Sequence, residues 1–171
     1  MRKMFERSQK GFTILELIAT LVIIGILATV AVSRLNNNDA EVVTGADTLK
    51  AHLRYAQTLA MNSNPNAPSD ATVWGINCSG TSYWLFNGTN PANNITMLPE
   101  ADEYINPDRT INLTKKKISV SSFTVYFDNR GIPYLAYPGT QWAGSPISVT
   151  PASGSGATVT VNITPFTGYI P

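Results

Sequence analysis

The run from Phe12 to Val32 constrains this chain more than any other stretch: 21 residues, apolar in character, broken by a single charge at Glu16. Wound as an α-helix at 1.5 Å per residue it reaches about 31 Å, roughly the hydrocarbon thickness of a bilayer, so it is long enough to span a membrane. A secretory signal has a shorter apolar stretch that ends in a small-residue cleavage site of the Ala-x-Ala kind. Here the candidate junction, Gly11-Phe12, lies ahead of the apolar run. Cutting there removes residues 1–11 and leaves the helix in place as a new N-terminus.

Charge sets the expected topology. The leader holds Arg2, Lys3, Arg7 and Lys10 against Glu6, whereas the first cation after the apolar run is Arg34. By the positive-inside rule the N-terminus stays cytoplasmic and the rest of the chain is exported. Within the helix, Glu16 is costly on its own, because a carboxylate at the bilayer centre costs on the order of 3 kcal/mol on insertion scales. No basic residue lies within helical reach on the membrane side, but cleavage after Gly11 would create an amine on Phe12, four residues away. Gly25, Thr29 and Ser33 recur every four residues and form a small-residue face on which helices approach closely.

At Lys10-Gly11-Phe12-Thr13 and the following Ile14-Leu15-Glu16-Leu17 the sequence resembles a class III, type IV pilin-like prepilin, with GFTILELIATLVIIGILATVAV as the segment that carries the likeness. The resemblance implies cleavage and methylation at Gly11 and Phe12 by a prepilin peptidase. It also implies an assembly role for Glu16, which pairs with the N-terminal amine of a neighbouring subunit. The implied partners are other pilins or pseudopilins, the inner-membrane assembly platform and inner-membrane lipid. The implied localisation is a single pass of the bacterial inner membrane with a periplasmic C-terminal domain, followed by incorporation in a pilus or pseudopilus.

The remaining chain reads as one exported domain of α+β class. The expected organisation is a leader at 1–11, a transmembrane and assembly helix at 12–34, an amphipathic helix half at 35–62 and a β-rich domain at 63–171. This is a pilin-like fold, a long N-terminal helix packed on an antiparallel sheet or sandwich. Asn38 reads as a helix N-cap with Glu41 as its capping-box partner. Val42, Ala46, Leu49, Leu53, Ala56 and Ala60 then repeat at four and three residue steps, an apolar stripe that packs on a sheet. His52, the chain's only histidine, reads as solvated on the polar side. Two hairpins are expected, one turning at Ser79-Gly80 and one at Asp128-Asn129-Arg130-Gly131. Val159, Val161 and Ile163 form an amphipathic strand, and Pro151 to Gly156 reads as a flexible linker.

The segment Asp47 to Asn62, with Leu53-Arg54-Tyr55-Ala56-Gln57, the hairpin Phe127-Asp128-Asn129-Arg130-Gly131 and the terminal Thr167-Gly168 resemble minor pseudopilins of the GspH and FimT type. Ser33 stands where many major pilins have a helix-kinking proline, and a pair of C-terminal cysteines is missing, which argues against a major-pilin role. Twelve cations and eleven acids give +1 for the full chain; without the leader's four cations and one acid the balance is −2, which argues against a dedicated nucleic-acid binder.

No enzyme chemistry is legible. One histidine and one cysteine do not make a zinc site of the usual ligand count, and no Gly-rich phosphate loop is present. Cys78 reads as a buried strand residue. No cofactor is expected; Glu100, Asp102, Glu103 and Asp108 supply the hard oxygens that calcium takes, as loops in related pseudopilins do, but without EF-hand spacing they read first as a solvated loop. Lys115, Lys116 and Lys117 offer cations to DNA phosphates, yet beside a strand they read first as a solvated edge. The expected function is therefore a structural minor pilin or pseudopilin of a type II secretion system or type IV pilus. The alternative is a DNA-binding minor pilin for natural transformation, against which stands a tail, Thr164 to Pro171, without arginine or lysine.

Overall fold

The computed structural model describes residues 11–35 and 38–171. The leader, apart from Gly11, lies outside the described residues, as do Asn36 and Asn37. The chain forms two compact units, Met1–Asn37 and Asn38–Pro171. In the first, α1 (Ile14–Leu35) is apolar over Ile14–Val32 apart from Glu16 and two threonines, and none of that stretch is buried by the protein itself. A helix that is hydrophobic all round needs an apolar environment, and this one is long enough to cross a membrane.

The second unit is an α+β domain. α2 (Asp39–Met61) lies on antiparallel strands, with the short α3 (Ser69–Thr72) after it. β1 (Trp74–Cys78) and β2 (Ser82–Asn87) form the first hairpin, and β1 also pairs with β6 (Phe123–Phe127). β2 takes β3 (Ile95–Thr96) and β4 (Ile111–Asn112), while β6 takes β7 (Pro133–Tyr134). The order in this sheet is β3-β2-β1-β6-β7, with β4 beside β2. A smaller sheet runs β5-β8-β9, from β5 (Ile118–Val120), β8 (Ile147–Pro151) and β9 (Val159–Val161).

The stripe read on α2 is the core seam: Val42, Ala46, Leu49, Leu53, Ala56 and Ala60 are all buried against Ile76, Leu85, Val125, Phe127, Val149 and Val161. Strand alternation sends Trp84 and Phe86 to the opposite sheet face, where Val73, Tyr126, Tyr134 and Tyr137 complete a second, aromatic cluster. Gly75 makes that layer possible, since a Cβ there would run into the Phe86 ring and the Val125 carbonyl.

Four local expectations need correction. The first hairpin turns at Gly80-Thr81, one residue later than Ser79-Gly80, because Cys78 faces Tyr83 and the Ser79 N–H donates to the Ser82 carbonyl; Gly80 supplies the positive φ of +98°. Asn38 does occupy the N-cap of α2, but its side chain makes no cap bond; its amide donates to the Ser153 carbonyl, and Glu41 reaches Lys117 at 4.0 Å instead of closing a capping box. The 151–156 segment is tied down: the Asn38 N–H donates to Ser155, and Asp39 Oδ1 accepts from the Ala157 N–H at 2.6 Å. A tertiary loop thus accepts the Asn38 N–H that Glu41 of a capping box would have taken. His52 is buried, for reasons given below.

Candidate functional site

At the head of α1, Gly11, Phe12 and Glu16 are all exposed. Thr13 precedes the helix and its Oγ1 accepts the Glu16 N–H at 3.3 Å, so Thr13-x-x-Glu16 has capping-box spacing, a signal available in the sequence but not read there. The arrangement places the acid in the first helical turn, where the unpaired N–H groups and the helix dipole favour an anion. None of the ion pairs among the described residues involves Glu16. Chemically, the site offers a peptide bond beside a residue without a side chain, an aromatic residue that would become the new terminus, and a carboxylate one turn beyond it.

In the second unit, three segments far apart in sequence meet at Gln57. Its Nε2 donates to the Gly131 carbonyl at 2.9 Å and to the Gly168 carbonyl at 3.1 Å, and Arg54 Nη2 donates to the Ile170 carbonyl at 2.8 Å. Gly131 (φ +78°) closes the second hairpin. Asp128 Oδ1 accepts the N–H groups of Arg130 and Ile132 there, and Oδ2 holds the Arg130 guanidinium at 3.0 Å. Gly168 (φ +65°) has no room for a side chain: a Cβ would meet the Gly131 carbonyl and the Gln57 amide, with Pro133 beside them. The helix segment, the hairpin and the terminal Thr167-Gly168 are therefore one structural knot.

On the other flank of α2, His52 Nδ1 lies 2.8 Å from the Tyr83 hydroxyl and Nε2 lies 3.3 Å from the Pro99 carbonyl. Because a carbonyl only accepts, Nε2 carries the proton and Tyr83 donates to Nδ1. Burial lowers the His52 pKa, partly opposed by the Pro99 bond and by Glu100, so the ring is neutral. The helical position alone suggested solvent; the segment carrying Pro99 covers it.

The acidic loop does not converge. Glu100 Oε2 pairs with Lys116 Nζ at 2.6 Å, with both side chains 12% exposed, and the ammonium sits 4.4 Å from the Tyr104 ring centre. Asp108 accepts the Thr110 hydroxyl at 2.7 Å, which holds its carboxyl below the usual range, while Asp102 and Glu103 stand in a short 3-10 turn. Among the described residues no group of three or more acids, histidines or cysteines is gathered for a metal. The lysines diverge as well: Lys115 Nζ donates to the Glu103 carbonyl, Lys116 is largely buried rather than solvated, and Lys117 points to Glu41. Glu100, Tyr104 and Lys116 form one wall of a groove of about 370 Å3, opposite Ala40, Glu41, Thr44, Gly45 and Thr48 of α2. Cys78 is buried in β1, which pushes its thiol up to about 11 and keeps it protonated.

A membrane-length helix with an acid in its first turn, followed by an α+β domain with a second helix packed on antiparallel sheets, is consistent with a pilin-like fold. Residues 7–32 match the family model of the prokaryotic N-terminal methylation motif. The match covers the segment around the Gly11-Phe12 junction and most of α1, and it supports a type IV pilin-like prepilin. No curated protein and no solved structure matches the chain.

Proposed function

We propose that the protein is a minor pilin or pseudopilin of the GspH and FimT type. Prepilin peptidase cuts the precursor between Gly11 and Phe12 and methylates Phe12; the product waits in the inner membrane with its α+β domain in the periplasm. It is then drawn into a pseudopilus or type IV pilus, where Glu16 neutralises the Phe12 amine of an adjacent subunit. The observation that carries this reading is the lone acid Glu16 one turn after Phe12 on a helix that is otherwise apolar, because an intramembrane carboxylate calls for a cationic partner and processing creates one. The knot at Gln57 supports the narrower assignment, since it unites the helix, hairpin and terminal segments that resemble that group. A subunit that keeps Glu16 has use for a neighbour's amine, which favours an internal or sub-tip place.

The intact mass of chain extracted from membranes of a peptidase-positive cell should correspond to a start at methylated Phe12, and Gly11→Val should leave the precursor uncut. Glu16→Val should insert and mature normally, because an apolar residue improves partition, yet be missing from sheared filaments. Equal incorporation of Glu16→Val and the unmodified chain would overturn the pairing role.

A further inference from the structure

The loop between β8 and β9 does more than turn the chain. It runs Ala152-Ser153-Gly154-Ser155-Gly156-Ala157-Thr158, and every one of these residues is exposed. Hydrogen bonds rather than burial hold it against the start of α2. The Asn38 N–H donates to the Ser155 carbonyl at 3.1 Å, Asn38 Nδ2 to the Ser153 carbonyl at 2.8 Å, and the Ala157 N–H to Asp39 Oδ1 at 2.6 Å. At its base the Ala152 N–H donates to the Lys117 carbonyl, next to β5. The close approach depends on a missing side chain: a Cβ on Gly156 would lie 2.9 Å from the Pro151 ring and 3.3 Å from Asp39 Oδ1.

The first of these bonds takes a donor that a continuous helix would need. In an α-helix each N–H donates to the carbonyl four residues back, so a helix unbroken from α1 into α2 requires the Asn38 N–H to reach the Arg34 carbonyl. That N–H is committed to Ser155 instead. Asn38 itself stands at φ −105°, ψ 27°, outside the helical region. α1 ends at Leu35 and α2 begins at Asp39. The loop bond and an unbroken helix therefore exclude each other.

The junction is balanced closely enough for a few bonds to decide it. Asn36, Asn37 and Asn38 are poor helix residues, because their side chains compete for nearby backbone groups. Yet the 22 residues of α1 and the 23 of α2 are already wound, so joining them carries no nucleation cost and each residue added gains a bond. The stretch able to cross a membrane ends at Val32, which puts the break just beyond it, between anchor and domain. A single rod there would turn with the domain, whereas a broken helix leaves α1 to keep its own tilt.

We propose that the β8–β9 loop is a strap that keeps the anchor and α2 apart as two helices, and that its release lets them join into one rod. The device does not rest on the filament reading, and its test needs no filament. The full chain is placed in phosphatidylcholine vesicles with nitroxides on Val30→Cys and Ala51→Cys, and the distance between them is read by double electron–electron resonance. In one rod those 21 residues span about 32 Å. Native Cys78 is buried and protonated, and each single variant controls for it. The otherwise unmodified chain should give a broad distribution displaced from the rod distance. Gly156→Val pushes the strap off Asp39 without altering residues 33–39, and it should raise the share of the rod peak about threefold to tenfold, the factor set by one lost hydrogen bond. Asp39→Ala should do the same, whereas Asp39→Asn, which keeps an acceptor, should stay near the unmodified chain. Both positions are exposed, so the domain stays folded, with thermal unfolding as the control. A sharp rod peak in the unmodified chain overturns the strap, and so does an unchanged distribution in Gly156→Val. Equal rod peaks from Asp39→Asn and Asp39→Ala overturn it as well, because the charge at the head of α2, not the bond, would then set the break.

Discussion

Gly168→Ala is the sharpest test of the knot that joins α2, the second hairpin and the C-terminal loop. Two costs add. At φ +65° an alanine takes on left-handed strain of roughly 1–2 kcal/mol. Its Cβ also meets the Gly131 carbonyl and the Gln57 amide, so Gln57 loses one or both of its bonds, each worth about 0.5–1.5 kcal/mol. The total is about 2–5 kcal/mol, which for a domain of this size lowers the melting temperature by roughly 8–20 °C. Thermal and urea unfolding of a soluble fragment Asn38–Pro171 measures it. Gly80→Ala separates the two costs: φ is +98° there, but nothing lies nearer than 3.6 Å to the added carbon, so it should lose only the backbone share. A Gly168→Ala no more destabilised than Gly80→Ala would refute the crowding argument and reduce the knot to an ordinary turn.

The same fragment should run as a monomer on gel filtration, since α1 is absent and the stripe of α2 is already covered by its sheets; aggregation would contradict a self-contained domain. Leu53→Ala should cost about 2–5 kcal/mol by opening a cavity at a fully buried site, whereas Val43→Ala, half exposed on the same helix, should change stability by less than about 0.5 kcal/mol, both read from urea midpoints. Stability should also fall in mild acid. His52 has its folded pKa lowered below the ordinary 6.5, so its contribution is complete above that pH and is lost as pH falls from 6.5 through the folded value. The Tyr83 hydroxyl bonds the ring, and the charges of Glu100 and Lys116 act on it in opposite senses. His52→Gln should flatten the urea midpoint between pH 7 and 5, and an unchanged slope would place the acid sensitivity elsewhere.

Features that depend on neighbours along the chain were legible without any fold. A 21-residue apolar run, a junction at Gly11-Phe12 and a lone Glu16 need no fold to be read, because the bilayer, the processing site and the missing counter-ion impose their own spacing. The stripe from Val42 to Ala60 was legible for the same reason: helical periodicity selects one face, and a face that apolar must be covered. The tertiary structure decided matters that hang on distant partners. His52 sits at the edge of that stripe, and only the passage of Pro99 and Tyr83 across it converts a solvated position into a buried, doubly bonded one. Lys116 left the lysine run because Glu100 and Tyr104 are folded beneath it, and the supposed linker became a clamp because Asn38 and Asp39 start a helix whose open N–H and side-chain groups it can reach. Gly168 looked like any terminal glycine until Gly131 and Gln57, 37 and 111 residues away in the chain, closed in on its missing side chain. Polar groups are committed by whatever finally surrounds them, and that is a property of the packed chain, not of the spacing between residues.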